Sequence, residues 1–236
     1  MERPVGDVQI WDKWNITYRL GDLDRPIQAR LHEILATLTD LKIPPEAKIL
    51  EVGCGTGWLS ARLRQFGKVT ACDLGDKIIE LARTKYPDID FYSGDIHTLD
   101  LPVNYFDVIV TEQVLAHVAD QQAFVHRLAG LLKKGGFLIL TTQNKFVFDR
   151  TAGIDPPEGW IRQWVTMKTL KTLLQEDFSL RRATTIEPEG HLGLLRIVNS
   201  ARLNGYCNAA IGAHRVKRLK ERAGFGQALF VVATKR

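Results

Sequence analysis

The sequence predicts an α/β fold: a seven-stranded, mostly parallel sheet with helices on both faces, its last two strands forming an antiparallel edge pair. Three observations lead there. Short apolar runs alternate with helix-length segments between residues 47 and 142, and that alternation implies right-handed crossovers and a parallel sheet. A glycine-rich turn follows the first apolar run directly. Past residue 165 the regular alternation is lost, and strand-like runs at 178–186 and 228–233 finish the pattern.

The elements follow in order. Pro26 suits a first helical turn. Ile27, Leu31, Ile34, Leu35 and Leu38 then fall on one helical face, and Pro44-Pro45 ends the segment. Residues 48–52 read as a buried strand, followed by a turn and a helix to about residue 66. Strands are expected at 69–73, 89–93, 106–111 and 137–142, with a helix around Ile78, Ile79, Leu81 and Ala82. Asp120 can cap the helix bearing Phe124, Val125, Leu128, Leu131 and Leu132, and Gly135-Gly136 is expected to stop it. Later helices are expected at 166–176 and about 191–203, with a basic segment at 214–222.

Bulk properties narrow the class. The 236 residues are 45% apolar, enough to bury a core without covalent staples. Cys54, Cys72 and Cys207 are scattered and odd in number, which fits a reducing compartment and offers no metal cluster. The start Met1-Glu2-Arg3-Pro4 resembles no targeting peptide. No apolar run approaches the roughly 18 residues of a membrane span. A soluble, cytoplasmic protein is expected. The net charge of +5 is mild, so nucleic acid is disfavoured as a partner.

The chemistry concentrates at Glu51-Val52-Gly53-Cys54-Gly55-Thr56-Gly57, between a strand and a helix. Ligands of open α/β sheets bind at the carboxyl ends of strands, near the point where strand order reverses. The dinucleotide pattern Gly-x-Gly-x-x-Gly is not met, because its last position falls on Trp58 or Ser60. Asp73 ends the second strand, 20 residues past Gly53, where an acid can accept from both ribose hydroxyls. Ser93-Gly94-Asp95-Ile96 follows the third strand, and Thr111-Glu112-Gln113 ends the fourth.

Taken together over residues 46–142, these elements resemble the class I S-adenosylmethionine (SAM)-dependent methyltransferases, which have a Rossmann-like fold. The resemblance implies SAM as cofactor and S-adenosylhomocysteine as product. It implies that Gly53, Cys54, Gly55 and Gly57 pack against the amino acid part of SAM, and that Glu51 orients its ammonium. Asp73 would clasp the ribose. Leu74 and Ile96 would cover the two faces of the adenine, and Asp95 would accept from its amino group. Thr111, Glu112 and Gln113 would lie beside the methionine part. The resemblance also implies residues 1–45 as a helical lid segment carrying Trp11, Trp14 and Tyr18, and residues 46–236 as the SAM domain. Acceptor-side insertions would lie at about 143–165 and 187–226.

Ala116-His117-Val118, the run 141–145 and the Trp164 region resemble ubiquinone-biosynthesis O-methyltransferases and related small-molecule enzymes, with Ala116 where that branch carries Glu. The acceptor is therefore expected to be a small molecule methylated on oxygen. A hydroxyl acceptor needs a base. His117, after the fourth strand, and His191, in the later insertion, are the candidates, against a loop or helix-start cap for His117 and a local structural role for His191. The other four histidines make no comparable case. Trp160 and Trp164 could wall the acceptor. Asp155-Pro156-Pro157-Glu158 reads as a turn. The apolar stretch 192–198 and the basic segment 214–222 leave open a peripheral membrane contact, against a core-facing helix and a solvated face. Two rival functions remain: methylation of RNA or protein, and a SAM-binding module without turnover.

Overall fold

The computed structural model describes Asp12 and residues 25–151 and 161–236. The strands are β1 (Ala47–Val52), β2 (Gly67–Asp73), β3 (Asp90–Ser93), β4 (Phe106–Glu112), β5 (Leu132–Gln143), β6 (Phe178–Pro188) and β7 (Gly226–Lys235). They form one sheet in the order β3-β2-β1-β4-β5-β7-β6. Pairings from β3 to β5 are parallel; β7 runs antiparallel to both β5 and β6. The expected fold class is the observed one.

The helices are α1 (Arg25–Asp40), α2 (Ser60–Leu63), α3 (Asp76–Lys85), α4 (Gln121–Leu131), α5 (Lys145–Phe148), α6 (Met167–Leu174), α7 (Leu194–Val198), α8 (Ala201–Ile211) and α9 (Ala213–Arg222). Successive strand residues face opposite sides, so the central strands bury both faces and read as continuous apolar runs. Ile49, Val69, Val108, Ile139 and Val232 meet Ile34 and Leu38 of α1, Leu63 of α2 and Ile78 of α3. Leu50, Ile109, Leu138 and Val231 meet Phe124 and Leu128 of α4 and Leu170 of α6. Helix α1 therefore shares the core of the sheet it precedes.

Three boundaries differ from expectation. The helix after the glycine-rich turn is short: α2 gives way to a 3₁₀ turn at Arg64–Phe66. Helix α4 ends before Gly135-Gly136, because Leu132 is already extended and pairs with Phe106 of β4. The helix expected at 191–203 is broken. Ser200 caps a new helix by accepting from Leu203 N at 3.3 Å, and Gly212 at φ +87° divides α8 from α9. Of the apolar residues expected to face the core from 192–198, only Leu195 is buried.

Asp12 is tied far from its place in the chain. Its Oδ1 accepts from Ile78 N at 3.1 Å, in the first turn of α3, where the flanking residue Gly75 offers no capping side chain. A Cβ on Gly75 would lie 2.2 Å from that oxygen. Trp11, Trp14, Tyr18, Trp160 and the 155–158 turn lie outside the described residues. Among the described residues no helix is long and apolar enough to cross a membrane.

Candidate active site

The chain moves from β1 outward through β2 and β3, then crosses back to β4 on the other side of β1. This is the reversal that leaves a crevice above the strand ends. A cavity of about 770 Å³ occupies it. Such a volume suits a small-molecule site, for which the range is roughly 300–1,000 Å³.

The glycine loop forms the floor. Gly53, Gly55 and Gly57 have φ of +79°, +51° and +75°, conformations that strain residues bearing a Cβ. Gly53 N and Cys54 N both donate to Cys72 O, at 2.8 and 3.1 Å, which folds the loop across the end of β2. Gly55 N donates to Asp73 Oδ2 at 2.8 Å and Gly75 N to Oδ1 at 3.3 Å. Burial pushes the Asp73 carboxyl above its ordinary range, against the pull of those backbone donors.

Gly53, Cys54, Gly55, Asp73, Leu74, Asp95, Ile96, Glu112, Gln113 and His117 all line the cavity. Glu51, Gly57 and Thr111 are not on its wall. Glu51 is buried behind the loop and accepts from Ser60 Oγ. Burial drives its pKa to about 8, helped by the charges of Glu112 and Asp73 and opposed by the Ser60 bond. Gly57 is needed for packing, since a Cβ there would lie 2.8 Å from the Phe91 ring. Thr111 is fully buried, and its hydroxyl has no hydrogen-bond partner among the described residues.

His191 lies apart from these residues: it is exposed and does not line the cavity, and its backbone N–H donates to Arg150 O at 3.4 Å. The glycine at 190 turns the chain outward at φ +100°, so His191 belongs to the root of the later insertion.

Ile161 and Gln143 are among the neighbours that hold His117. Its Nδ1 donates to Ile161 O at 3.0 Å, a bond that leaves Nε2 with the lone pair. The Gln143 amide nitrogen lies 3.4 Å from that Nε2. Burial lowers the His117 pKa below 6.5; the Ile161 carbonyl opposes this and Arg162 adds to it. Close by, Gln113 adopts φ +61° at the end of β4. Its N–H donates to Thr141 O and its side-chain amide to Thr141 Oγ1. Strain of this kind persists where the surroundings fix it, characteristically at binding sites.

Sequence reasoning missed Arg30. Its Nε lies 2.5 Å from Glu112 Oε1, both side chains are buried, and both line the cavity. A signal was present: Arg30 falls on the same face of α1 as Ile27 and Ile34, at i+3 between residues spaced i and i+7. A cation on the apolar stripe of a helix needs a buried partner. Phe148, Gln143 and Gln227 on the far wall were also missed, whereas Trp164 lines it as expected. The Phe148 and Trp164 rings lie 4.9 Å apart.

Residues 50–140 match the methyltransferase domain family. An uncharacterized methyltransferase of Mycobacterium tuberculosis is 36% identical over 124 residues, covering 51% of this chain and 62% of that protein. A ubiquinone biosynthesis O-methyltransferase of Coxiella burnetii is 34% identical over 141 residues, covering 57% of this chain and 58% of that protein. The chain thus spans about three fifths of the length of these relatives. Among solved structures, the N-methyltransferase NodS of Bradyrhizobium japonicum, in complex with S-adenosyl-L-homocysteine, superposes with a TM-score of 0.67. It is 16% identical, with 97% of each chain covered.

Proposed function

We infer that this chain, which carries a methyltransferase domain over residues 50–140, moves the S-methyl group of SAM to an oxygen of a small molecule. One observation carries the reading. The glycine loop and Asp73 share a single cavity with His117, whose Nδ1 is tied to a carbonyl and whose Nε2 keeps its lone pair.

The residues present fit SAM. Asp73 is an acceptor held at the end of β2, suited to the ribose hydroxyls. Leu74 and Ile96 offer two apolar surfaces for the adenine, with Asp95 between them in sequence to take its amino group. Beyond β4, Arg30 and Glu112 offer opposite charges for the carboxylate and ammonium of the amino acid part. Buried Glu51 stands behind the same loop. When bound, SAM supplies an electrophilic methyl group on a sulfonium sulfur.

The remaining work belongs to the chain. Phe148 and Trp164 wall the acceptor and exclude water from the reacting oxygen. The acceptor hydroxyl displaces the Gln143 amide from His117 Nε2, which then takes the hydroxyl's proton. Positioning of this kind is a large part of catalysis in a displacement. The size of the cavity, about 770 Å³, suits a small acceptor, and the ubiquinone biosynthesis relative supports oxygen as the atom. The three cysteines, all free, fit work in the reducing cytoplasm.

The test uses SAM with an isotopically labelled methyl group, incubated with the protein and a cell extract separated into small molecules, lipids, RNA and protein. Label in the small-molecule or lipid fraction, with a methoxy carbon by NMR, is the expected result. Label confined to RNA or protein overturns the acceptor class. An N-methyl signal overturns the atom.

A further inference from the structure

The insert between β6 and β7 carries a charge and an apolar surface that the catalytic reading leaves unused. Residues 192–222 hold seven Arg and Lys and a single acid, Glu221, so this stretch alone is +6 where the whole chain is +5. Two of the cations serve the fold. Lys217 pairs with Glu187 and Glu221, and Lys220 donates to Asn199 and Asn204. The other five, Arg196, Arg202, Arg215, Arg218 and Arg222, are exposed, and none has an ion-pair partner among the described residues.

The same helices expose large apolar side chains. Seven of the eleven exposed large hydrophobics among the described residues lie in this insert, Ile197 at 63%, Tyr206 at 79% and Leu219 at 56% among them. Helix α8 has no buried residue at all. On α8, Leu203, Tyr206 and Ala210 are spaced i, i+3 and i+7. On α9, Arg215, Arg218, Leu219 and Arg222 are spaced i, i+3, i+4 and i+7. Each set is one helical stripe. An eleven-residue helix with nothing buried is marginal in water, and apolar patches rimmed by polar groups mark contact surfaces.

Charge chooses the occupant. A second copy docked by the same face would set five arginines against five, which repel. Nucleic acid would satisfy the arginines and leave Leu203, Tyr206, Ile197 and Leu219 in water. An anionic bilayer satisfies both: arginines at the headgroups, a tyrosine at the interface and the leucine and isoleucine side chains beneath. The insert is rooted beside the cavity. His191 N and Leu192 N donate to Arg150 O, and Asn144, next to the cavity residue Gln143, donates to Gly224 O and Gly226 O. We propose that α7, α8 and α9 form a docking surface for an anionic lipid bilayer. This stands on the insert alone and does not depend on the methyl-transfer reading.

The experiment is co-sedimentation of the full chain with vesicles of neutral phosphatidylcholine, with and without 30% phosphatidylglycerol. Binding at least tenfold tighter to the anionic vesicles is expected, and it should weaken as salt rises. Each basic residue near an anionic surface strengthens binding about fivefold. The triple variant R215Q/R218Q/R222Q is therefore expected to bind about 100-fold more weakly, with its melting temperature kept. Tyr206→Ser, which leaves the charge intact, should weaken binding several-fold. Equal binding to both vesicles, no binding, or indifference to the triple substitution overturns the proposal. So does a dimer by sedimentation equilibrium that the same substitutions dissociate, or tighter binding to an RNA oligomer than to anionic vesicles.

Discussion

At the scale of the residue, two groups have displaced proton affinities that experiment can reach. The His117 pKa lies below 6.5, mainly through burial, so its Nε2 is a free base at neutral pH. Turnover is expected to rise with pH through a value below 6.5 and then level. His117→Gln should lower kcat by about 10²–10⁴-fold with SAM affinity kept; undiminished turnover removes His117 as the base. Glu51 is displaced the other way, from 4.5 to about 8. Between those values the folded protein holds a proton that the unfolded chain has released. Stability of the ligand-free protein should therefore fall as pH rises from 4.5 through about 8. Glu51→Gln should flatten that slope in urea titrations. A cation bound near Glu51 should expel the proton, which calorimetry at pH 7 in two buffers of different ionisation enthalpy reads directly. Identical heats in both buffers, after correction, would remove Glu51 from the ammonium's surroundings. The place of Asp73 and Asp95 on the cavity wall was legible in the sequence because strand ends and glycines flank them. That His191 lies off the cavity wall was not legible, since nothing in its neighbours announces which way a loop turns.

At the scale of the element, the Arg30–Glu112 pair joins α1 to β4 across 82 residues of chain. Truncating either side chain breaks a buried ion pair, at a cost of up to about 3–5 kcal/mol. Arg30→Met alone should lower urea stability by that order, and Arg30→Met with Glu112→Leu should restore most of it. If the pair also receives the cofactor, the restored double variant still loses SAM affinity; equal affinity would leave the pair a purely structural clamp. The strands were legible because a doubly covered strand is apolar along its whole length, as Ile49, Leu50 and Val52 are. Helix ends were less so. Gly135-Gly136 looked like the stop of α4, but tertiary pairing of Leu132 with Phe106 ended the helix first. The break at Ser200 carried its signal in a serine followed by Leu203, which the apolar run on either side obscured.

At the scale of the molecule, the pattern of alternation was enough to give five parallel strands, and the antiparallel finish followed from the two strand-like runs past residue 165. The order within that finish was not legible, because pairing partners are chosen by packing over long separations. The structure sets β7 between β5 and β6, with residue pairs such as Ile139↔Val232 on one side and Thr184↔Phe230 on the other. Of the seven strands, the last made by the ribosome is therefore an interior one. Until residues 226–235 emerge, β5 offers an open edge and β6 has no strand to lie against. The nascent chain carries two unpaired strand borders, the apolar β5 and the more polar β6, for the whole time that 189–225 is being synthesised. Edges of that kind invite pairing with other chains. Strand β7 closes a gap that the order of synthesis keeps open until it emerges, and the growing polypeptide is most exposed to chaperones, or to aggregation, during that interval.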